Sequence, residues 1–239
     1  MKILPNTRIV DLALYFDTAL VIADIHIGYE EALNKQGILV PRLQFEEMVE
    51  RINNIFDSLK DKKIKQIIVN GDLKHEFGTI SEQEWRNTLK FLDLLAKHCN
   101  EIILIKGNHD TILGPIARKR NVKVLGYYIV GNTLIAHGNK IPDKSILKNI
   151  RNIIIGHEHP AISLKEGPRM EQYKCFLKGK YKGKDLIVQP SFNSIIEGID
   201  ILRDEILSPF LQQNLNSFEV YVVEDKVYEF GKLKGLRKG

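Results

Sequence analysis

A series of short apolar runs, each stopping at an acidic, amide or histidine residue, constrains this chain more than any other feature. Ala19–Ala23 runs into Asp24-Ile25-His26, and Ile67–Val69 into Gly71-Asp72 with His75 close behind. Ile102–Ile105 precedes Gly107-Asn108-His109-Asp110, and Leu134–Ala136 precedes His137-Gly138. Ile153–Ile155 precedes Gly156-His157-Glu158-His159. Of seven histidines, six fall in these motifs and only His98 lies outside. Apolar runs this short read as buried strands. Loops that follow such strands lie along one rim of an open α/β sheet, where residues distant in sequence converge.

Helical stretches alternate with these runs. After Pro41, residues Phe45, Met48, Val49, Ile52, Phe56 and Leu59 fall on one helical face. Ser81-Glu82-Gln83-Glu84 reads as a capping box opening a second helix, with Trp85, Leu89, Leu92 and Leu95 or Ala96 facing the core. Further on the pattern is mainly β. Val122–Val130 and Thr133–Ala136 flank the turn Gly131-Asn132, a second hairpin spans about Tyr173 to Gln189 with its turn near Gly183, and strands follow at Phe218–Val223 and Val227–Phe230. A βαβ half followed by a β half predicts a sheet sandwich with outer helices. No repeat or linker divides the chain, so one domain over residues 1–239 is expected, with a loose basic tail from about 231 carrying Lys232, Lys234, Arg237 and Lys238.

With 239 residues the chain can bury a large core, and its 44% hydrophobic and 27% charged content is that of a soluble globular protein. No apolar run approaches the roughly 18 residues of a membrane span. The stretch Leu12–Phe16, bounded by Asp11 and Asp17, is too short for a signal peptide. Cys99 and Cys175 form no CxxC, which excludes a zinc ribbon or a thioredoxin motif. Two thiols in a reducing cytosol are the expectation, though a disulfide stays open. The net charge of +5 is compatible with an anionic substrate.

Each motif has a plain alternative. Asp24 and His26 offer a carboxylate and an imidazole to a divalent metal, or a helix cap beside an exposed histidine. Asp72 has two oxygens and can bridge two metals, or it is a turn aspartate. Asn108, His109 and Asp110 supply a neutral oxygen ligand and a substrate-facing imidazole, or capping and turn residues. His157 and His159, on an extended strand end, would project to the same side. His137 by itself is a strand-end histidine. The glycine after the first motif, Gly28, suits a tight turn over a crowded site.

Taken in order, the five motifs resemble the calcineurin-like metallophosphoesterase superfamily. Its run is DxH, GDxxH or GDxxD, GNH[DE], a lone His-Gly and GHxH. Within it the chain looks most like archaeal SbcD-related phosphoesterases and bacterial ligase-associated phosphodiesterases. Those share the segments found here as Gly37-Ile38-Leu39-Val40-Pro41 and Pro190-Ser191-Phe192-Asn193. The resemblance implies a four-layer α/β/β/α sandwich of two mixed sheets with outer helices. It also implies two divalent metal ions: Asp24, His26 and His159 holding one, Asn108, His137 and His157 the other, and Asp72 bridging them. Such a pair clamps the attacking and leaving oxygens of an in-line displacement and makes a hydroxide available near neutral pH. The mixed nitrogen and oxygen ligands suit manganese, iron or zinc, with manganese the expected ion. His109 is the expected non-ligand histidine acting on the leaving oxygen, with Asp110 orienting its imidazole. His75 resembles the nuclease branch, where it contacts substrate, or is a surface histidine. Lys74 and Glu76 are expected to be solvated.

For the substrate, three readings follow. The first is a phosphodiesterase or nuclease acting on nucleic acid, DNA or RNA, or on nucleotides. The second is a phosphomonoesterase of small metabolites. The third is a metal-bound, non-catalytic scaffold like the retromer subunit of this fold, which lacks the histidine found here as His109. Lys174, Lys178, Lys180, Lys182 and Lys184 around Tyr173, Phe176 and Tyr181 could follow a nucleic-acid backbone, or form a solvated hairpin face over buried aromatics. Arg118-Lys119-Arg120 lies near the site or ends a short helix. Only about 50 residues follow Gln189, too few for the capping domain and ATPase-docking region of full SbcD-type nucleases. A stand-alone enzyme with no membrane association is therefore expected, its protein partners open.

Overall fold

The apolar runs are strands, and their register aligns the ends that carry the motifs. A computed structural model describes residues 1–76, 80–111, 113–120, 122–166 and 169–236. One seven-stranded sheet runs in the spatial order β1 (Lys2–Leu4), β2 (Thr7–Val10), β3 (Ala13–Phe16), β4 (Ala19–Ala23), β5 (Gln66–Asn70), β6 (Glu101–Ile105) and β7 (Lys123–Leu125). Strands β1 to β4 form an antiparallel meander, and β4 to β7 are parallel. Uninterrupted Val, Ile and Leu runs are what a parallel sheet covered on both faces requires. Leu20, Val21, Ile22, Ile67, Ile68, Val69, Ile103 and Leu104 accordingly expose no surface.

The second sheet has the order β14 (Ile199–Asp200), β11 (Pro160–Glu166), β12 (Arg169–Tyr181), β13 (Lys184–Val188), β10 (Asn152–Ile155), β9 (Thr133–Ala136) and β8 (Tyr127–Val130). Off this path, β15 (Glu219–Val223) pairs with β12 and with β16 (Val227–Lys232). Alternation sends Ile135, Ile154, Phe176 and Ile187 into one core with the first sheet. Leu134, Ile153, Ile155 and Leu186 point to the opposite face.

Helices α2 (Gln44–Ser58) and α3 (Glu82–Ala96) cover the first sheet through Met48, Ile52, Ile55, Phe56, Leu89, Phe91, Leu92 and Leu95. The outer face of the second sheet is covered differently. A 3-10 turn over Ile146–Asn149, the segment 201–218 with Phe210, Leu211, Leu215 and Phe218, and Leu233 of the one-turn helix α5 (Leu233–Leu236) make up that layer.

Register places Ala23, Asn70 and Ile105 side by side at the ends of β4, β5 and β6. It places Ala136, Ile155 and Val188 side by side at the ends of β9, β10 and β13. The five motifs leave from these two rows. Bridges join the rows: Phe192 N–H donates to the Ala23 carbonyl at 2.8 Å, and Gln189 Nε2 to the Val21 carbonyl at 3.1 Å.

Several expectations need correction. Val122–Val130 is not one strand, because the chain leaves the first sheet after Leu125 and enters the second at Tyr127, with Gly126 as the pivot. Residues 231–236, expected to be loose, finish β16 and form α5 with Leu233 fully buried; Arg237 and Lys238 lie outside the described residues. Of the two readings of the lysine-rich hairpin, the face over buried aromatics is the one found. Phe176 and Tyr181 are buried, Lys178 pairs with Glu219 and Lys180 with Asp185. Arg118-Lys119-Arg120 ends the short helix α4 (Gly114–Arg120), where Arg120 grips Asp93. Among the described residues, no helix is long and apolar enough to cross a membrane.

Candidate active site

Asp24, His26, Asp72, Asn108, His137, His157 and His159 all converge between the two rows of strand ends. Asp24 is wholly buried; its Oδ2 accepts from the His157 N–H at 2.9 Å. Its Oδ1 lies 3.4 Å from His137 Nδ1 and 3.6 Å from His159 Nε2. His26 Nε2 lies 3.4 Å from His159 Nε2 and 3.7 Å from Asp72 Oδ2. Asp72 Oδ2 lies 3.4 Å from His137 Nε2, which is 2.9 Å from Asn108 Oδ1. Two groups of ligand atoms result, Asp24 with His26 and His159, and Asp72 with His137 and His157.

The backbone is strained to achieve this. Asp24, His26, Asp72, His157 and His159 all have φ between 45° and 66°. Left-handed geometry is uncommon outside glycine and collects at functional sites. It also corrects the reason expected for His157 and His159. They converge because each turns the chain in the left-handed region, not because an extended strand alternates. Three glycines make room. A Cβ on Gly71 would overlap the His137 ring, one on Gly107 would overlap Asp72, and one on Gly156 would overlap Asp24.

The residues fit divalent cations. Among the described residues Asp24 Oδ1 is buried without a hydrogen-bond partner, a costly state for a carboxylate oxygen. Burial pushes the Asp24 carboxyl well above its ordinary range. Burial, then the neighbouring Asp24 and Asp110, raises Asp72 to about 8. Burial lowers His137 to about 3 and His157 and His159 to about 4, and holds His26 well below its ordinary value. Neutral imidazoles are the metal-ligating form, and buried carboxylates that resist ionisation are relieved by a cation.

His75 and His109 border the same space. His75 Nδ1 lies 3.4 Å from His26 Nδ1, and His109 Nδ1 lies 2.7 Å from the His75 carbonyl. That contact assigns the Nδ1 hydrogen of His109 to the carbonyl and leaves the lone pair of the neutral ring on Nε2. Tyr29, opening α1 (Tyr29–Lys35), packs edge-on to His75 with ring centroids 4.7 Å apart. Burial lowers His75 to about 4 and also lowers His109.

Asp110 is placed otherwise than expected. Its carboxylate accepts from the backbone N–H groups of Gly107 at 3.0 Å, Leu73 at 3.4 Å and Lys74 at 3.5 Å. It therefore staples the loop after β6 to the loop after β5, and the imidazole of His109 is oriented by the His75 carbonyl instead. Lys74 is fully buried rather than solvated. Its ammonium donates to the carbonyls of His109, at 3.0 Å, and Glu76.

Other residues support the site; Ser81, Glu84, Glu158, Lys174, Ser191 and Asn193 lie in segments the sequence marked, without this role, whereas Gln44 carried no mark of it. Ser81 caps α3 as expected, but Glu84 reaches away from the cap to accept from the His75 and Glu76 N–H groups at 3.0 and 3.1 Å. Gln44 Nε2 donates to the His26 carbonyl at 2.9 Å and is itself held by Glu30. Glu158 accepts from Leu207 and Ser208. Ser191 Oγ donates to the Asp24 carbonyl, and Asn193 Nδ2 to those of Ile25 and His26. Lys174 anchors this last segment, donating to the carbonyls of Ser191, at 2.9 Å, and Asn193.

The family model described as calcineurin-like phosphoesterase matches residues 18–216, which include every motif. The chain belongs to this family. As a calcineurin-like phosphoesterase it is a metal-dependent phosphoester hydrolase by class. Its fold is similar to that of the Pseudomonas putida nuclease MPE, with a TM-score of 0.64 at 20% identity over 92% of both chains. It is more distantly similar to an Aquifex aeolicus protein of unknown function, with a TM-score of 0.38 at 18% identity over 59% of this chain and 78% of that one. Zinc-bound Vps29 from Entamoeba histolytica follows with a TM-score of 0.36 at 17% identity over 91% and 93%. No curated protein matches this phosphoesterase.

Proposed function

We propose that this phosphoesterase hydrolyses phosphodiester bonds, in nucleic acid or nucleotides, with two divalent ions, manganese in the first place, held between the strand rows. One observation carries the diester reading. The groups bordering the ligand cluster are two imidazoles, His75 and His109, neither of them a fixed charge, while the two nearby lysines, Lys74 and Lys174, donate to backbone carbonyls. Such a surface matches the single negative charge of a diester better than the two of a monoester, whose extra charge would need a further cation.

Asp24, His26 and His159 would hold one ion and Asn108, His137 and His157 the other, with Asp72 between them. The ions supply Lewis acidity at the phosphoryl oxygens and lower the pKa of a bound water. His75 would hydrogen-bond a phosphoryl oxygen. His109 takes up a proton at Nε2 as the anionic substrate binds and delivers it to the leaving oxygen. The His75 carbonyl keeps that ring in the required tautomer. The nucleic-acid part draws on the fold-likeness to the Pseudomonas nuclease, not on a basic track. The free thiols of Cys99 and Cys175 support a reducing compartment such as the cytoplasm.

A substrate panel tests this reading. Bis-p-nitrophenyl phosphate, p-nitrophenyl phosphate, a 2′,3′-cyclic nucleotide and single- and double-stranded oligonucleotides are each assayed with Mn²⁺, Zn²⁺, Mg²⁺ or EDTA. Turnover of diesters with little turnover of the monoester is expected, abolished by EDTA. Preferential monoester turnover would replace the proposal with the phosphomonoesterase reading, and no turnover of any ester would favour a scaffold.

A further inference from the structure

Besides the two ligand groups already described, a third group of imidazoles stands at the same centre. The ligand nitrogens of His26, His75 and His109 lie within 4.8 Å of one another. His26 takes part through its other side. Its Nε2 faces Asp72 and His159, whereas its Nδ1 faces His75 Nδ1 at 3.4 Å. That separation is long for a hydrogen bond. It equals the separation, about 3.4 Å, of two nitrogens bound to one tetrahedral zinc at about 2.05 Å. The rings agree. Their centroids form a nearly equilateral triangle with sides of 4.8, 5.2 and 5.4 Å. The same spacing separates ring pairs of the main cluster, 5.2 Å for His26 and His159 and 4.9 Å for His137 and His157.

We propose that His75, His109 and Nδ1 of His26 form a third divalent-metal site, taken by zinc-like ions and refused by manganese, whose filling blocks the phosphoryl-binding side of the centre. The selectivity follows from the donors. The set is all imidazole nitrogen, which suits zinc, copper and nickel, whereas manganese favours carboxylate and water oxygens. His109 contributes Nε2, because its Nδ1 hydrogen is held by the His75 carbonyl. The hydrogen between His26 and His75 leaves to solvent as the ion enters, and His26 then bridges the new site and the main cluster. The blocking effect, unlike the binding itself, rests on the phosphodiesterase reading, since it removes the two histidines that reading gives to the substrate. The protein would then be active with manganese and shut off by excess zinc without loss of its resident ions.

Equilibrium dialysis of the full chain tests the site by counting metal, so its outcome does not depend on any activity. Manganese should saturate at about two ions per chain and zinc at about three, while His75→Ala should take about two of either. Zinc-edge anomalous diffraction from wild-type crystals locates the extra ion without recourse to a variant, and a third peak within bonding distance of His75 and His109 is expected. Zinc saturating at two in the wild type, a third zinc retained by His75→Ala, or a third peak elsewhere on the molecule would each overturn the proposal. If the third ion binds as described but manganese-loaded protein cleaves no ester, the site stands and the phosphodiesterase reading fails.

Discussion

The buried ammonium of Lys74 donates to the carbonyl of His109 at 3.0 Å, joining the loop after β5 to the loop after β6 at the residue proposed above to act on the leaving oxygen. A second carbonyl, that of Glu76, shares the same ammonium. Lys74→Met keeps the length and removes the donor, leaving two carbonyls unsatisfied. Thermal unfolding should show a loss on the order of 2 kcal/mol. Activity should fall about tenfold or more for diesters with poor leaving groups and less for p-nitrophenolate, because proton delivery matters most when the leaving group is basic. An equal loss across a series of leaving groups would reduce Lys74 to a structural part.

His109→Ala should lower kcat by about 10²- to 10⁴-fold, the usual worth of a positioned acid. The Asp72, His137 and His157 ligand group does not include it, so manganese content should be unchanged. Metal analysis beside single-turnover rates makes the comparison. Loss of manganese in this variant would move His109 from catalysis to ligation.

Metal uptake should depend on pH through Asp72. Burial beside Asp24 and Asp110 keeps its carboxyl protonated up to about 8, so below that pH an incoming ion must expel a proton. Apparent affinity should therefore rise by about tenfold per unit for each displaced proton up to about pH 8, and more steeply where the raised Asp24 carboxyl also gives up its proton. His137, lowered to about 3, and His157 and His159, lowered to about 4, are already neutral in this range and do not compete. Manganese binding measured at pH 6, 7 and 8 checks the slope; a flat profile would contradict it.

Gly107→Ala and Gly114→Ala form a matched pair. A Cβ at Gly107 meets both the side chain and the backbone nitrogen of Asp72, whereas at Gly114 the nearest group is the end of the Arg118 side chain at 3.6 Å. The first substitution should cost most of the metal affinity, because backbone cannot rotate away. The second, at the first residue of helix α4 and away from the ligand groups, should leave metal binding intact. Calorimetric metal titration and melting curves separate the two.

The strand ends and the candidate ligands that converge on them were legible because parallel strands leave long apolar runs and the following loops carry unusual residue types. β4, β5 and β6 announce Asp24, Asp72 and Asn108 in this way. The meander β1 to β3 did not announce itself, since strands of three or four residues give too few positions for a pattern. The passage from β7 to β8 at Gly126 was hidden for another reason. Both sides are β-type, and only the tertiary fold decides that they belong to different sheets. Lys74 and Asp110 misled because a lone charged residue carries no local mark of burial. What buries them is the docking of two loops thirty-odd positions apart.

Neither strand row carries a complete ligand set. Asp24 and His26 leave the first sheet while their companion His159 leaves the second, and Asp72 leaves the first sheet to meet His137 and His157 from the second. An ion gripped by either group is a cross-link between the two halves of the sandwich, and it can form only after they have docked. On the proposed ligand sets, metal capture would couple the docking of the two sheets to the loading of the centre.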